Sequence, residues 1–305
     1  MAFPVRYLLF SPQSKSKRGE VFNTSLANTL MSNAPTLFEE EPADRKVTSS
    51  DDAEASVIIE QNDCISFLDS LEENSVDVIT TDPAYSGMNQ HLQLGEGRIV
   101  GEYAKAGEDG RWFEEFRDTE ENYERFLTAC KRVLNDQGHL YIMFDSYSLL
   151  SLGDLVRKHF DVKNIIVWDK VNWGMGHYYR RRHEFVLFAT NGNTRKLRNQ
   201  SFPDVWRFKR IYNAPYSTQK PVELFQTMIY ASAETGYTVC DPFLGSGSAA
   251  IATIENNCHF IGCDIAKEAI KLAKERVDKY QHTGKDSLQP KSASIKGEKV
   301  FWKET

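Results

Sequence analysis

Apolar residues along this chain follow two periods. Runs that are apolar throughout or in their middle, at Val57–Ile59, Val76–Thr80, Leu140–Phe144, Ile165–Trp168, Glu184–Thr190, Thr238–Asp241 and Phe260–Cys263, have the length and flanks of buried strands. Between them, apolar positions recur at helical spacing: Ile65, Leu68 and Leu71; Tyr123, Phe126, Leu127, Cys130, Val133 and Leu134; Leu224, Phe225, Met228 and Ile229. Further helices are predicted near Leu149–His159, through the alanine-rich stretch to about Asn256, and from Lys267 to about Tyr280. Asn62 or Asp63 can cap the first helix, Gly138 can stop the second, and Pro221 suits a first helical position. Strands alternating with helices predict an α/β protein. In the first strand–helix–strand unit the two strands are parallel, which puts Asp63 and Asp82 at one edge of the sheet.

The second strand carries the first candidate chemistry. In Ile79-Thr80-Thr81-Asp82-Pro83-Ala84-Tyr85 the buried run from Val76 to Thr80 passes into an acid and a proline, which has no N–H for the ladder and ends the strand. Open α/β sheets bind ligands beyond the carboxyl ends of their strands, so Asp82 stands at a ligand site with the Tyr85 ring three residues on. Taken alone, the stretch is equally an ordinary Asp-Pro turn beside an aromatic. Residues 86–110 follow with glycines at 87, 95, 97, 101, 107 and 110; a loop of this length is functional or disordered, and its position directly after the candidate site favours a mobile lid over simple disorder. Residues 1–55 lack sustained periodicity and end in a linker rich in Glu, Asp, Ser and Pro from Glu39 to Ala55. The residues from Thr283 to Thr305 read as a loose polar tail.

Composition narrows the class. With 305 residues, 41% of them apolar, the chain can bury one large core or two modest ones. It has no run of about 18 apolar residues for a membrane span, and its first residues lack the long apolar stretch of a signal peptide. Five cysteines, an odd number and never spaced Cys-x-x-Cys, predict no disulfide framework or zinc site and fit a reduced cytosolic setting. No histidine pair has metal-ligand spacing on a helix, so no metal is expected. The net charge of −6 argues against indiscriminate nucleic-acid binding. Even so, Arg180–Arg210 holds nine Lys/Arg against two acids, interleaved with Trp206, and is flanked by Trp173 and Tyr212. Arginines supply charge and donors, and rings supply stacking surface, for a polyanion that carries bases. A solvated basic surface gives the same pattern.

Gly245-Ser246-Gly247-Ser248-Ala249-Ala250 matches G-x-G-x-x-G/A between a strand and a helix, with Asp264 nineteen residues past Gly245. Such glycines let a ligand approach the backbone, and the acid can hold ribose hydroxyls, so an adenosine-containing cofactor is expected. A nicotinamide dinucleotide is one candidate. Position argues against it: only about one β–α unit follows Asp264, whereas a dinucleotide-binding domain needs several.

Together these motifs resemble the amino-methylating DNA methyltransferases of the N-4 cytosine/N-6 adenine family in their permuted (beta) arrangement, over about residues 57–281. Asp82-Pro83-Ala84-Tyr85 resembles the catalytic D/S-P-P-Y, and Ser217-Thr218-Gln219-Lys220-Pro221 the T-Q-K-P that leads into the cofactor site. Asp241–Ser248 resembles D-P-F-x-G-S-G-T, and Asn62-Asp63-Cys64 resembles G-D-C. The resemblance implies a Rossmann-like S-adenosylmethionine-dependent fold, a mostly parallel seven-stranded sheet with helices on both faces. It would occupy residues 56–282, with a short target-recognition insertion at about 191–215. It implies site-specific methyl transfer from S-adenosylmethionine to an exocyclic amino group of a flipped base in double-stranded DNA. Asp at the first motif position favours adenine N6; cytosine N4, or a non-catalytic DNA-binding relative, is the alternative.

The implied roles follow residue by residue. Asp82 and the Pro83 carbonyl accept the target N–H groups, and Tyr85 stacks on the base. Asp63 takes the cofactor's adenine amino group, Asp264 its ribose hydroxyls, and the backbone of Gly245, Ser246 and Gly247 its methionine portion. Thr218, Gln219, Lys220, Asp241 and Phe243 complete the cofactor set. Arg180, Arg181, Arg182, Arg195, Lys196, Arg198 and Arg207 are the candidate DNA contacts. A homodimer and a restriction endonuclease are the implied protein partners. Ala84 departs from the second proline of the motif, and the recognition insertion is short for a long target.

Overall fold

A computed structural model describes residues 55–83, 119–174, 178–192, 195–199, 201–216 and 218–298. The N-terminal segment up to residue 54, Ala84, Tyr85, the glycine-rich 86–110 stretch and Ser217 lie outside these residues.

The strands are β1 (Val57–Gln61), β2 (Val76–Thr81), β3 (Leu134–Phe144), β4 (Asp161–Asp169), β5 (His183–Thr190), β6 (Val205–Arg207), β7 (Thr238–Asp241) and β8 (His259–Asp264). They form one sheet in the order β1-β8-β7-β2-β3-β5-β4-β6. Only β5 runs antiparallel to its neighbours. The expected seven strands are therefore eight. The added one, β6, is a three-residue edge strand paired with β4 (Trp168↔Trp206), too short to show a period in the sequence.

Helices α1 (Cys64–Ser70), α2 (Glu120–Val133) and α3 (Ser146–His159) cover one face of the sheet. Helices α4 (Val222–Ser232), α5 (Ser248–Glu255) and α6 (Lys267–Thr283) cover the other. The helical spacing predicts the buried stripe of α2 correctly: Tyr123, Phe126, Leu127, Cys130 and Val133 are all buried. Each large side chain of this kind contributes about 1.5–3 kcal/mol by leaving water. Asp63 caps α1, and Asp145 caps α3 through Tyr147 N and Ser148 N, both at 2.8 Å.

Two local expectations change. Gly138 does not stop α2, which ends at Val133; it sits within β3 at a register shift against β2. A Cβ there would lie 2.4 Å from Leu134 Cγ, so close packing requires the glycine. The segment after α6 is polar but held as far as Glu298. Glu223 accepts hydrogen bonds from Ser292 Oγ and Ala293 N, both at 2.6 Å, and from Gln289 Nε2 at 2.5 Å. Lys209 N donates to Ala293 O at 2.8 Å. Its hydrogen-bond partners lie far away in sequence, which is why a local pattern reads as a loose tail.

All five cysteines are buried free thiols. Among the described residues no helix is long and apolar enough to cross a membrane, and no cluster of His, Cys, Asp and Glu could hold a metal ion.

Candidate active site

Strand direction assembles the site. At one sheet edge the strands end in acids: Asp63 beyond β1, Asp264 on β8, Asp241 on β7, Asp82 beyond β2, Asp145 beyond β3 and Asp169 on β4. Neighbouring strands are about 4.8 Å apart, so residues far apart in sequence become adjacent. Gln61 pairs with Asp264, and Asn62 N donates to Asp264 O at 3.2 Å. This brings Asp63 beside Asp264.

The glycine loop lies between the ends of β7 and β8. Gly245 and Gly247 have φ of 52° and 81°, a left-handed backbone that favours glycine. A Cβ at 245 would also lie 3.2 Å from the Tyr216 ring. Asp264 ties the loop down, accepting from Gly245 N at 2.8 Å and Ala266 N at 2.9 Å. Burial raises the Asp264 pKa, and those two N–H groups oppose the rise. Asp241 is 1% exposed and accepts from Phe243 N at 3.0 Å. Burial pushes its pKa up to about 8, the negative charges of Asp82 and Asp264 add to this, and the Phe243 N–H works against it. Asp241 thus shapes the turn from inside through Phe243 N. Asp63 is exposed at its surface; burial opposes its ionisation, but the hydrogen bonds from Ser66 and Ile65 together outweigh it and hold its pKa below the usual range.

Arg276 and Asp286 hold this loop from below. The Arg276 guanidinium, fully buried, donates to Ser246 O at 2.9 Å and Ser248 Oγ at 3.0 Å, and meets Asp286 at 2.8 and 2.6 Å. Sequence reasoning missed this pair. The available signal was an arginine on the buried stripe of α6, between Ala273 and Val277. Gln219 Nε2 donates to Leu288 O at 3.3 Å, while its Oε1 is buried with no hydrogen-bond partner. Thr218 hydrogen-bonds the Tyr216 phenol. Adjacent acceptors at Asp63 and Asp264, a loop open to close approach and an orphaned amide oxygen fit an adenosine-bearing cofactor.

Asp82 is next to this site because β2 neighbours β7. The Lys220 ammonium pairs with Asp82 Oδ2; the side chains are 15% and 16% exposed. Lys220, expected to serve the cofactor, therefore meets the candidate catalytic acid. Pro83 is buried and Tyr85 lies outside the described residues.

Because β5 is antiparallel, the β4–β5 connection returns to the same edge. Its base is fastened by Arg182 to Asp169, at 2.6 and 2.5 Å, and by Lys170 to Glu184 at 2.6 Å. The Arg182 hydrogen bonds carry the Asp169 pKa down to about 2. Val171 has φ of 68°, a strained backbone for a β-branched residue, and its N–H is held by Asp169 at 2.8 Å. Beyond this base Trp173, Tyr178 and Tyr179 are 64%, 97% and 92% exposed. Arg180 lies over Trp173, and Arg181 lies over Tyr147.

The basic stretch predicted as one surface is divided between the two sheet edges. Asn191 N bonds Gly138 O, and Arg195 O meets His139, near the opposite edge from Asp82. Arg195 donates to Ser232 O at 2.8 Å, and Arg198 donates to Tyr230 O and Ala233 O at 2.8 and 2.6 Å, so both guanidinium groups hold the end of α4. Together with Lys196 they are not gathered with Asp82. Arg207, at the end of β6, returns to the Asp82 edge but is paired with Asp169 and Glu298.

The N6/N4 DNA methylase family profile matches residues 76–275. The chain is 29% identical to the type II methyltransferase M.HpaI of Haemophilus parainfluenzae, over 74% of this chain and 76% of that one. It is 27% identical to the type II methyltransferase M2.DpnII of Streptococcus pneumoniae, over 74% and 91%. Its fold resembles the crystal structure of M1.HpyAVI with S-adenosylmethionine: TM-score 0.52, 23% identity, 73% of this chain and 99% of that one.

Proposed function

Since the chain belongs to the N6/N4 DNA methylase family, we propose that it methylates adenine N6 at a specific site in double-stranded DNA, with S-adenosylmethionine as donor. The observation that supports methyl transfer is the adjacency of β2, β7 and β8, which sets Asp82 beside the glycine loop and Asp264; the choice of adenine rests on the resemblance, through Asp82 at the first motif position. The cofactor supplies an electrophilic methyl group at a sulfonium. Asp63 and Asp264 hold its adenosine part, and the backbone of Gly245–Gly247 holds its methionine part.

An exocyclic amino nitrogen is a weak nucleophile because its lone pair is conjugated into the ring. N–H groups donating to the Asp82 carboxylate and the Pro83 carbonyl localise that lone pair, and Asp82 or a water takes the released proton. The target must leave the duplex to reach Asp82, at a cost of a few kcal/mol. Tyr85 stacks on it. The exposed Trp173, Tyr178, Tyr179, Arg180 and Arg181 supply rings and charge toward DNA, while Arg182 and Arg207 hold the base of that loop. The relatives' type II class suggests a restriction endonuclease as partner, and the family resemblance suggests a second copy of the chain.

The test is transfer of labelled methyl to mixed-sequence duplex DNA, followed by nucleoside analysis. N6-methyladenine is expected. N4-methylcytosine would reverse the base assignment and keep the site. Near-normal transfer by Asp82→Ala would overturn the catalytic role of this carboxylate.

A further inference from the structure

Asp82 holds a cation before any target arrives. Its partner is the Lys220 ammonium. A target amino group gains nucleophilicity by donating to a carboxylate, and a neutralised carboxylate is the poorer acceptor. A second carboxylate stands on the same side of the sheet. Alternation from Val78 through Thr80 puts Asp82 on the face covered by α4, α5 and α6; alternation back from Phe188 and Val186 puts Glu184 there too. Lys220 immediately precedes Pro221, the cap of α4 on that face. Two strand spacings, roughly 10 Å, separate β2 from β5, a gap that a flexible lysine stem placed between them can serve from either side.

Glu184 is only half satisfied. Its Oε1 accepts from Lys170 at 2.6 Å, while Oε2 is buried with no hydrogen-bond partner. Burial opposes ionisation of Glu184, but the charges of Lys220, Lys170 and Arg210 outweigh it and keep its pKa below the ordinary value. An ionised carboxylate oxygen buried without a partner is costly, and a cation that moves onto it is favoured.

We propose that Glu184 is a positioning residue for methyl transfer: as the target amino group docks on Asp82, the Lys220 ammonium passes to Glu184 Oε2 and gives up its hold on Asp82 Oδ2. This rests on the function proposed above. No bond forms or breaks in the move, Lys220 stays protonated, and the cluster's net charge is unchanged.

Three variants of the full chain, Glu184→Gln, Lys220→Met and the double variant, test this. The readouts are thermal stability, S-adenosylmethionine affinity by calorimetry, and single-turnover methyl transfer to duplex DNA. Glutamine keeps a partner for Lys170 but offers Lys220 no charge, so the lysine stays on Asp82. The expected result is a transfer rate about tenfold lower, with cofactor affinity close to wild type, and a double variant faster than Glu184→Gln alone. A normal rate in Glu184→Gln, or a double variant no faster than it, overturns the inference. Glu184→Asp, which keeps the charge on a shorter arm, gives an independent arm should glutamine not fold. It should be slower than wild type and be raised by adding Lys220→Met; no gain on that addition also overturns the inference. Wild-type protein that binds the cofactor but methylates no DNA would instead sink the proposed function itself.

Discussion

Asp286→Ala provides a sharp test of how the cofactor loop is held. The Arg276 side chain is 0% exposed and that of Asp286 10%, so alanine leaves a guanidinium buried without its counter-charge. Breaking a buried pair from one side costs about 3–5 kcal/mol. That is a large part of the roughly 5–15 kcal/mol that holds a typical domain together. At about 2–4 °C per kcal/mol for a domain of this size, the melting temperature should fall by roughly 6–20 °C. Removing both charges in Arg276→Met/Asp286→Leu should cost much less, because an apolar pair carries no desolvation penalty.

The pH dependence supplies a second readout. Burial opposes ionisation of Asp286, but hydrogen bonding to Arg276 outweighs it and its folded pKa is lowered. Its contribution is therefore full above the ordinary value of 3.8 and lost as pH falls through the folded pKa. Circular dichroism melts of wild type, single and double variants between acid and neutral pH measure all of this. A shift below about 2 °C for Asp286→Ala, which would be under 1 kcal/mol, would refute the reasoning. So would a double variant as unstable as the single one.

Three other outcomes follow from the same physics. Asp241, its pKa raised to about 8 by burial, binds a proton on folding; its contribution is present below 3.8 and lost as pH rises through about 8, so Asp241→Asn should flatten that decline in melting temperature. Equal pH slopes in the two proteins would contradict this. His139, held down to about 4 by burial and then by Arg195, should stay neutral, its ring NMR shifts flat from pH 8 to about 5. A midpoint near 6.5 would show that the ring is not buried. Gly247→Ala should be more destabilising than Gly236→Ala in thermal melts. Both have positive φ, 81° and 82°, but only at 247 would the new Cβ meet a neighbour, Ala273 Cβ at 3.2 Å.

Much of the site is determined locally and was legible in the chain. A strand that runs into Asp82-Pro83, or into Asp241-Pro242, declares its end through the missing proline N–H. Gly245 and Gly247 declare a backbone that other residues avoid. Period and punctuation act over a few residues, so they survive in the sequence.

Which of these ends become neighbours is not local. Arg180 and Arg195 look alike in the sequence, but antiparallel β5 carries the chain from one sheet edge to the other between them. That sends Arg181 toward the Asp82 edge and Arg195 to the end of α4. Lys220 finds Asp82 across 138 residues, and Glu223 finds Ser292 and Ala293 across about seventy. The sequence by itself determined the elements, their ends and the kind of chemistry each end can do. Only the tertiary structure decided which charges meet, because strand order and direction are set by the packing of the whole core and by no single segment.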